Sequence, residues 1–310
     1  MWRYTSRRLV MAVPVLLGVT FVTFVLLNIV PGDPVAIMLE KRADQAVVDN
    51  VRRQLGLDKP WFVQYWSFVV NALKGDLGRS FFTRVQVLPE LLSKFRITLK
   101  LAASAYAVAI VVGVSAGIAA AVHHNTTMDS ATMVGAMIGI CAPLFWTAIL
   151  LQIFFGLHLG WLPISGHESW RNFVLPAVAL GTRFAASIAR ITRTSMLEVI
   201  RQDYIRTALS KGLSRRIVIY KHALRNALIP VVTLTGMQVG GLMGGSMLAE
   251  TVFAIPGLGR YYVEALYQRD FPVVQGMVLF TAVVFVLANL IVDLSYAFID
   301  PRIRYDSEGD

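Results

Sequence analysis

The 310-residue sequence has one cysteine, Cys141, and it lies inside a long apolar stretch. A lone thiol excludes a disulfide framework and a thiolate metal site. Charge is scarce as well: 15% of residues are Asp, Glu, Lys or Arg, against 56% hydrophobic, and mean hydropathy is +0.60. A water-soluble protein of this length would need more polar surface. There is no Gly-x-x-x-x-Gly-Lys-Ser/Thr phosphate loop, so the chain is not expected to hydrolyse ATP itself. No Ser/His/Asp or His/Glu/His constellation lies within the apolar stretches, which argues against a membrane enzyme. Nor do acidic residues form a ladder through them, as a proton-driven pump would require. His123 and His124 are adjacent, point apart on a helix and have no further ligands nearby in sequence, so a metal site is not expected. The net charge of +10 has no nucleic-acid-binding signature beside it.

What the chain does have is apolar length. Residues 9–30, 101–122, 131–157, 227–249 and 273–298 are uncharged or nearly so, and a shorter run, 173–189, carries Arg183. Each is near the ~20 residues needed to cross a hydrocarbon core of about 30 Å. The expected fold is all-α: a polytopic membrane protein with six transmembrane helices. The first run is too long for a signal-peptide core and no small-residue cleavage site comes after it, so it is expected to remain as an anchor.

Lysine and arginine set the expected orientation. Arg3, Arg7 and Arg8 precede the first run, and Arg302 and Arg304 come after the last. The connector after the fourth run holds Arg190, Arg193, Arg201, Arg206, Lys211, Arg215, Arg216, Lys221 and Arg225. The positive-inside rule then puts both termini and this connector in the cytoplasm. Three regions result: 1–30, with the first helix; 31–100, an extracytoplasmic cap; and 101–310, a five-helix core that includes a cytoplasmic coupling segment at 193–226.

The cap has structure of its own. Pro31-Gly32-Asp33-Pro34 stops the first helix. Ala46, Val47, Val51 and Leu55 predict a short amphipathic helix ended by Gly56, and Pro60 opens a second through Trp61, Tyr65, Phe68, Val69 and Leu73. Such a cap would brace the bundle or receive a partner.

The coupling segment is the most informative part. Tyr204, Ile205, Ala208 and Leu209 fall on one helical face, opposite Asp203, Arg206, Thr207, Ser210 and Lys211. Gly212 stands where a helix end favours a left-handed residue, and Ser214 is placed to cap the next helix. That second helix is predicted over 215–229, with Ile217, Tyr220, Leu224, Ala227 and Leu228 aligned. An ordered polar connector between membrane spans fits a socket for a soluble partner, such as an ATPase. The alternative is an interfacial helix whose basic face binds anionic membrane lipid.

Within the spans, glycines recur at Gly113 and Gly117, at Gly236, Gly240 and Gly244, and at Gly241 and Gly245. Such rows let helices approach closely, or give a smooth lining to a pore between two subunits. A charge at mid-span faces a cavity or a partner. Arg183 is therefore expected on the translocation path, with Gln238, Gly240, Gly244 and Asn289. Asp293 and Arg190 lie at similar depth and are a plausible buried pair.

Taken end to end, the chain resembles the permease subunits of bacterial ABC importers for dipeptides, oligopeptides, glutathione or nickel. The resemblance rests on Pro31-Gly32-Asp33-Pro34, Leu55-Gly56-Leu57-Asp58-Lys59-Pro60, Gly75-Asp76-Leu77-Gly78-Arg79-Ser80, Asp203-Tyr204-Ile205-Arg206-Thr207-Ala208 with Lys211-Gly212-Leu213, His222-Ala223-Leu224-Arg225-Asn226-Ala227, Pro256-Gly257-Leu258-Gly259 and Arg269-Asp270-Phe271-Pro272. Arg206-Thr207-Ala208 replaces the Glu-Ala-Ala of the general importer loop, with Gly212 at the expected spacing. The resemblance implies a bacterial inner-membrane protein and a coupling helix that sits in a cleft of an ATPase subunit. It also implies a second homologous permease, two ATPase subunits carrying the ATP and Mg, and an extracytoplasmic substrate-binding protein. This chain would be non-catalytic and hold no cofactor. The outer loop with Glu250, Pro256, Gly257, Leu258 and Arg260, together with the cap, is expected to meet the binding protein. Peptide import is the expected function. A permease for nickel chelates or other small solutes is the alternative, and an ATP-independent channel or secondary transporter is the alternative of another class.

Overall fold

Long apolar runs with few breakers become long helices; the computed structural model of the chain describes residues 2–29, 35, 45–54 and 56–299. The helices are α1 (Trp2–Ile29), α2 (Gln45–Gln54), α3 (Trp61–Leu73), α4 (Val87–Val122), α5 (Thr127–Cys141) and α6 (Leu144–Leu151). After α6 a π-helical turn covers Gln152–His158, and a short 3-10 turn at Trp170–Phe173 leads into α7 (Val174–Ile200). Then come α8 (Asp203–Ser210), α9 (Arg215–Ile217), a second π turn (Val218–Ala223), α10 (Leu224–Val252), α11 (Leu258–Gln268) and α12 (Phe271–Ile299).

Among the described residues, five helical stretches are long and apolar enough to cross a membrane: Ser6–Ile29, Val87–Val122, Trp170–Ile200, Arg215–Gln238 and Phe271–Val292. The sixth expected span, 131–157, is not straight. It is the pair Thr127–Cys141 and Leu144–His158, bent by 108°. Pro143 has no N–H to continue the ladder of α5 and restricts Ala142 to an extended conformation, ψ 127, so the helix must restart. The second span begins earlier than apolarity alone predicts. At 36 residues, α4 is about 54 Å long, well beyond a hydrocarbon core of about 30 Å.

The chain forms two compact units that do not track its order. Of the described residues, the first joins those up to Arg96 to Gly257–Ser295; the second holds Ile97–Pro256 and 296–299. In the first, Leu77, Val87, Leu91, Leu258, Ala265, Val273, Val274 and Met277 make the core. The turn at 76–87 is held there by Asp270, whose carboxylate accepts from the Ser80 hydroxyl and, at 3.0 Å, from the Phe81 N–H. Asp270 is buried just after Arg269, which ends α11 in the left-handed conformation at φ +57. Burial pushes the nearby Tyr261 phenol up to about 12, and the Asp270, Glu90 and Glu264 carboxylates add to the rise.

In the second unit α7 is central, packing against α5, α6 and α10. It also meets α4 closely. A Cβ on Gly113 would lie 2.7 Å from the Ala185 carbonyl oxygen, and one on Gly117 2.6 Å from that of Ala189. From the other side, a Cβ on Gly181 would lie 2.6 Å from the Ala105 carbonyl oxygen. The small residues Gly181, Ala185 and Ala189 recur every fourth position on α7; Ala185 and Ala189 meet the glycines of α4, and Gly181 meets Ala105 and Val108. This is the close backbone contact that small-xxx-small rows permit.

Candidate functional site

An eight-residue helix has too little surface to hold itself in place, so α8 depends on what lies beneath it. Its apolar residues span an arc of about 140° at about 100° per residue. Ile205 and Ala208, at the centre of the arc, are buried; Tyr204 and Leu209, at its edges, are exposed. The predicted single apolar face is thus divided between an inward anchor and outward knobs. The anchor enters a cluster with Ala121 at the end of α4, Met196 on α7, Val218 and Ala223 in the π turn, and Ala227 on the helix beyond. Pressure on α8 therefore bears on three spans at once.

Gly212 has φ +81 and its N–H donates to the Leu209 carbonyl at 2.9 Å, the left-handed helix end its position predicts. Ser214 holds the N-cap position of α9, but its side chain makes no capping bond. The second predicted helix, 215–229, is instead the start of one helical run from Arg215 to Val252, through the π turn. The wider π turn shifts the side-chain phase. Val218, Ala223 and Ala227 are buried, while Ile217 and Tyr220, which a uniform 3.6-residue period aligns with Ala227, are exposed. Near α8, Asn226 Nδ2 donates to the Tyr204 hydroxyl at 2.8 Å. The outer surface of this segment thus presents Tyr204, Leu209, Leu213, Ile217 and Tyr220 among exposed Arg206, Thr207, Lys211, Arg215, Arg216, Lys221 and Arg225. The Arg206–Asp203 contact, 3.8 Å between fully wetted groups, holds nothing in place.

The α4–α5 turn and α7 share a charge cluster that periodicity and motif do not reveal. Asp129, in the first turn of α5, receives Arg193 of α7 through both carboxylate oxygens, Nε to Oδ1 at 2.6 Å and Nη2 to Oδ2 at 2.7 Å. Asp129 Oδ2 also accepts the Asn125 N–H at 3.1 Å and lies 3.1 Å from His124 Nδ1. Asn125 reaches this position with φ +62. His124, one of the adjacent pair, is half-buried in this network. The cluster ties the α4–α5 turn to α7. Its sequence signal is an acidic residue opening an apolar run, a position where a carboxylate complements the helix N-terminus.

The remaining expected residues scatter over α7, α10, α12 and the outer loop. Arg183 and Arg190 are exposed on α7. The side chain of Asp293 and the surroundings of Gly240 and Gly244 lie outside the described residues. Gln238 is half-buried on α10 with its Oε1 buried and unpartnered, and Asn289 is half-buried on α12. A Cβ on Gly241 would lie 3.7 Å from the ring of Phe184 on α7. The expected outer contact loop is largely turned inward. Glu250 is fully buried and accepts from Thr98 Oγ1 at 2.6 Å, and Gly257 and Leu258 are buried too. A carboxylate completing a buried hydrogen bond is closed to a partner, which leaves Pro256 and Arg260 accessible. Arg260 pairs with Glu264 at 2.9 Å. No group of His, Cys, Asp or Glu side chains among the described residues has a metal-binding arrangement.

Two family models match the chain. Residues 113–305 match the binding-protein-dependent transport system inner membrane component, and residues 1–102 match the N-terminal part of such membrane components. The dipeptide transport system permease protein DppB of Alkalihalophilus pseudofirmus is 43% identical, over 98% of this chain and 100% of its own length. The glutathione transport system permease protein GsiC of Escherichia coli K12 is 44% identical over the same shares. Among solved structures, the MetNI methionine ABC transporter in an inward-facing conformation has a TM-score of 0.58 at 21% identity, covering 68% of this chain and 96% of that one. An amino acid ABC transporter has a TM-score of 0.54 at 16% identity, covering 68% and 94%. At these identities the two structures speak for the fold alone.

Proposed function

The chain belongs to the family of inner-membrane components of binding-protein-dependent transport systems, and on that premise we propose that it is one half of the translocation path of an ATP-driven peptide importer, moved through α8 by separate ATPase subunits. The family makes it a multi-pass bacterial inner-membrane permease of the ABC importer type. The further steps are our reading.

One observation carries the coupling role: α8 is anchored inward by Ile205 and Ala208 and offers Tyr204, Leu209 and Leu213 outward beside basic residues. An apolar cleft with an acidic rim on a soluble partner is the complement of such a surface. Closure of two such partners on nucleotide would push α8 against the ends of α4 and α7 and against the helix from Arg215. Because that run is helical through to Val252, the push is delivered into the membrane rather than lost in a loop. A second, homologous permease would complete the path, and an extracytoplasmic binding protein would deliver solute. Peptides, from dipeptides to glutathione, are the proposed cargo, since the relatives over the full length are named for them. Exposed Arg183, costly against lipid at mid-span, would face the path and suit a carboxylate-bearing solute.

The test is co-purification of the tagged chain from native membranes, comparing wild type with Leu209→Asp and Leu213→Asp. Both side chains are exposed, so neither change disturbs the core. Wild type should bring down a Walker-motif ATPase and a second permease, and both variants should lose the ATPase and ATP-dependent uptake while keeping their thermal stability. Variants that retain the ATPase would rule out α8 as the docking site. A wild-type chain that comes down alone and transports without ATP would overturn the importer reading.

A further inference from the structure

Helix α3 has 13 residues, Trp61–Leu73, and none is charged. Lys59 precedes it and Lys74 comes directly after it. It is too short to span a bilayer, yet too apolar for a helix in water. At about 100° per residue its side chains sort into three faces. Tyr65, Phe68 and Ala72 make one, Phe62, Trp66, Val69 and Leu73 a second, and Gln64, Ser67 and Asn71 a third, nearly opposite the second.

The first face is partnered by α1. The Tyr65 ring packs on Phe21 and Phe24 with centroids at 5.4 and 5.5 Å, and its hydroxyl donates to the Leu17 carbonyl at 2.9 Å. Among the described residues the second face has no such partner: Phe62 is 61% exposed, Trp66 65% and Leu73 84%. Its depth identifies what covers it. The spanning part of α1 is Ser6–Ile29, so Phe24 and Leu17 lie roughly 7 and 18 Å along the helix from Ile29, at a rise of about 1.5 Å per residue. A helix that touches α1 between these levels lies below the membrane surface at that end, among headgroups and acyl chains.

We propose that α3 is an embedded interfacial helix whose Phe62–Trp66–Leu73 face is covered by the acyl chains of the leaflet at the Ile29 end of α1. Its Gln64–Ser67–Asn71 face turns towards the headgroups and water, and Lys59 and Lys74 place an ammonium group at each end for lipid phosphates. Exposed α1 residues nearby, such as Val22 and Leu26, belong to the same lipid-facing surface. Trp66 on the apolar side suits the boundary where one edge of the ring is wet and the rest is not. The segment between the first two spans is therefore in part a membrane float that fixes the tilt of α1, rather than wholly a cap in solution.

The test places nitroxide spin labels singly at Phe62→Cys, Trp66→Cys, Leu73→Cys and Asn71→Cys in a Cys141→Ala chain, within the intact transporter in lipid nanodiscs. Collision rates are read with oxygen, which enters hydrocarbon, and with a nickel chelate, which does not. All four positions are exposed or polar, so labelling removes no core packing, and retained transport confirms the fold. The oxygen-to-chelate ratio at 62, 66 and 73 should exceed that at 71 on the order of tenfold, since a polar solute is excluded from hydrocarbon. High chelate accessibility at these sites would mean water and overturn the proposal. Low accessibility to both reagents would mean that a protein subunit covers the face, and would overturn it equally.

Discussion

Removing Asp129 tests whether the α4–α5 turn is latched to α7. In Asp129→Ala, Arg193 loses contacts at 2.6 and 2.7 Å, and the Asn125 N–H loses its acceptor. Breaking a fully buried pair by removing one partner costs about 3–5 kcal/mol, because the remaining charge is stranded. The Asp129 side chain is 5% exposed but that of Arg193 is 24% exposed, so water partly recovers the guanidinium. An exposed pair would contribute at most about 1 kcal/mol. The structure lies between these limits and nearer the buried one, which sets the expected loss at about 2–3 kcal/mol. Asp129→Asn keeps an acceptor for Arg193 and loses the charge assistance, so it should cost about 1–2 kcal/mol. The assay is reversible unfolding in mixed micelles by SDS titration, applied to Asp129→Ala, Arg193→Ala and the double variant. A coupling energy of about 2 kcal/mol is expected for groups in direct contact. A coupling below about 0.5 kcal/mol would refute the reasoning, since the pair would then behave as solvent-screened charges. Uptake should fall with stability while the ATPase still co-purifies, because the outer surface of α8 is untouched.

Gly117→Ala puts a Cβ 2.5 Å from Thr192 Cβ and should destabilise the chain by about 1–3 kcal/mol, whereas Gly135→Ala, with nothing within 4 Å, should stay within about 0.5 kcal/mol of wild type in the same titration. Ile205→Ala empties the buried anchor of α8 and should cost about 2–4 kcal/mol, whereas Leu209→Ala on the exposed edge should leave stability unchanged and lower ATPase co-purification. Asp270→Ala leaves the Ser80 hydroxyl and Phe81 N–H without their acceptor and should cost about 1–3 kcal/mol, read as faster proteolysis in the 76–87 turn.

Much of the architecture is legible one residue at a time. Runs of about 20 apolar residues have few alternatives to a membrane helix, so 9–30, 101–122, 173–189, 227–249 and 273–298 all lie in observed helices, apart from end residues. Gly212 is equally legible, since a left-handed residue after a short amphipathic helix has a local cause. So is the all-α class, and the ordered motifs that match the family.

The tertiary structure decided what depends on neighbours. Ile205 and Leu209 look equivalent by periodicity, but only Ile205 meets Met196 and Val218, residues brought to it by two other helices. The π turn at Val218–Ala223 re-phases the helix beyond it, which a fixed 3.6-residue period does not anticipate. Arg193 and Asp129 are 64 positions apart, and nothing local distinguishes their pairing from others between basic and acidic residues at similar depth. Glu250 reads as loop charge until Thr98 is seen beside it in a closed interior. Composition and pattern determine that this chain lives in a membrane and where its helices run, because lipid accepts little else. Which side chains are anchors, latches or contact surfaces is settled only when distant segments compete for the same space.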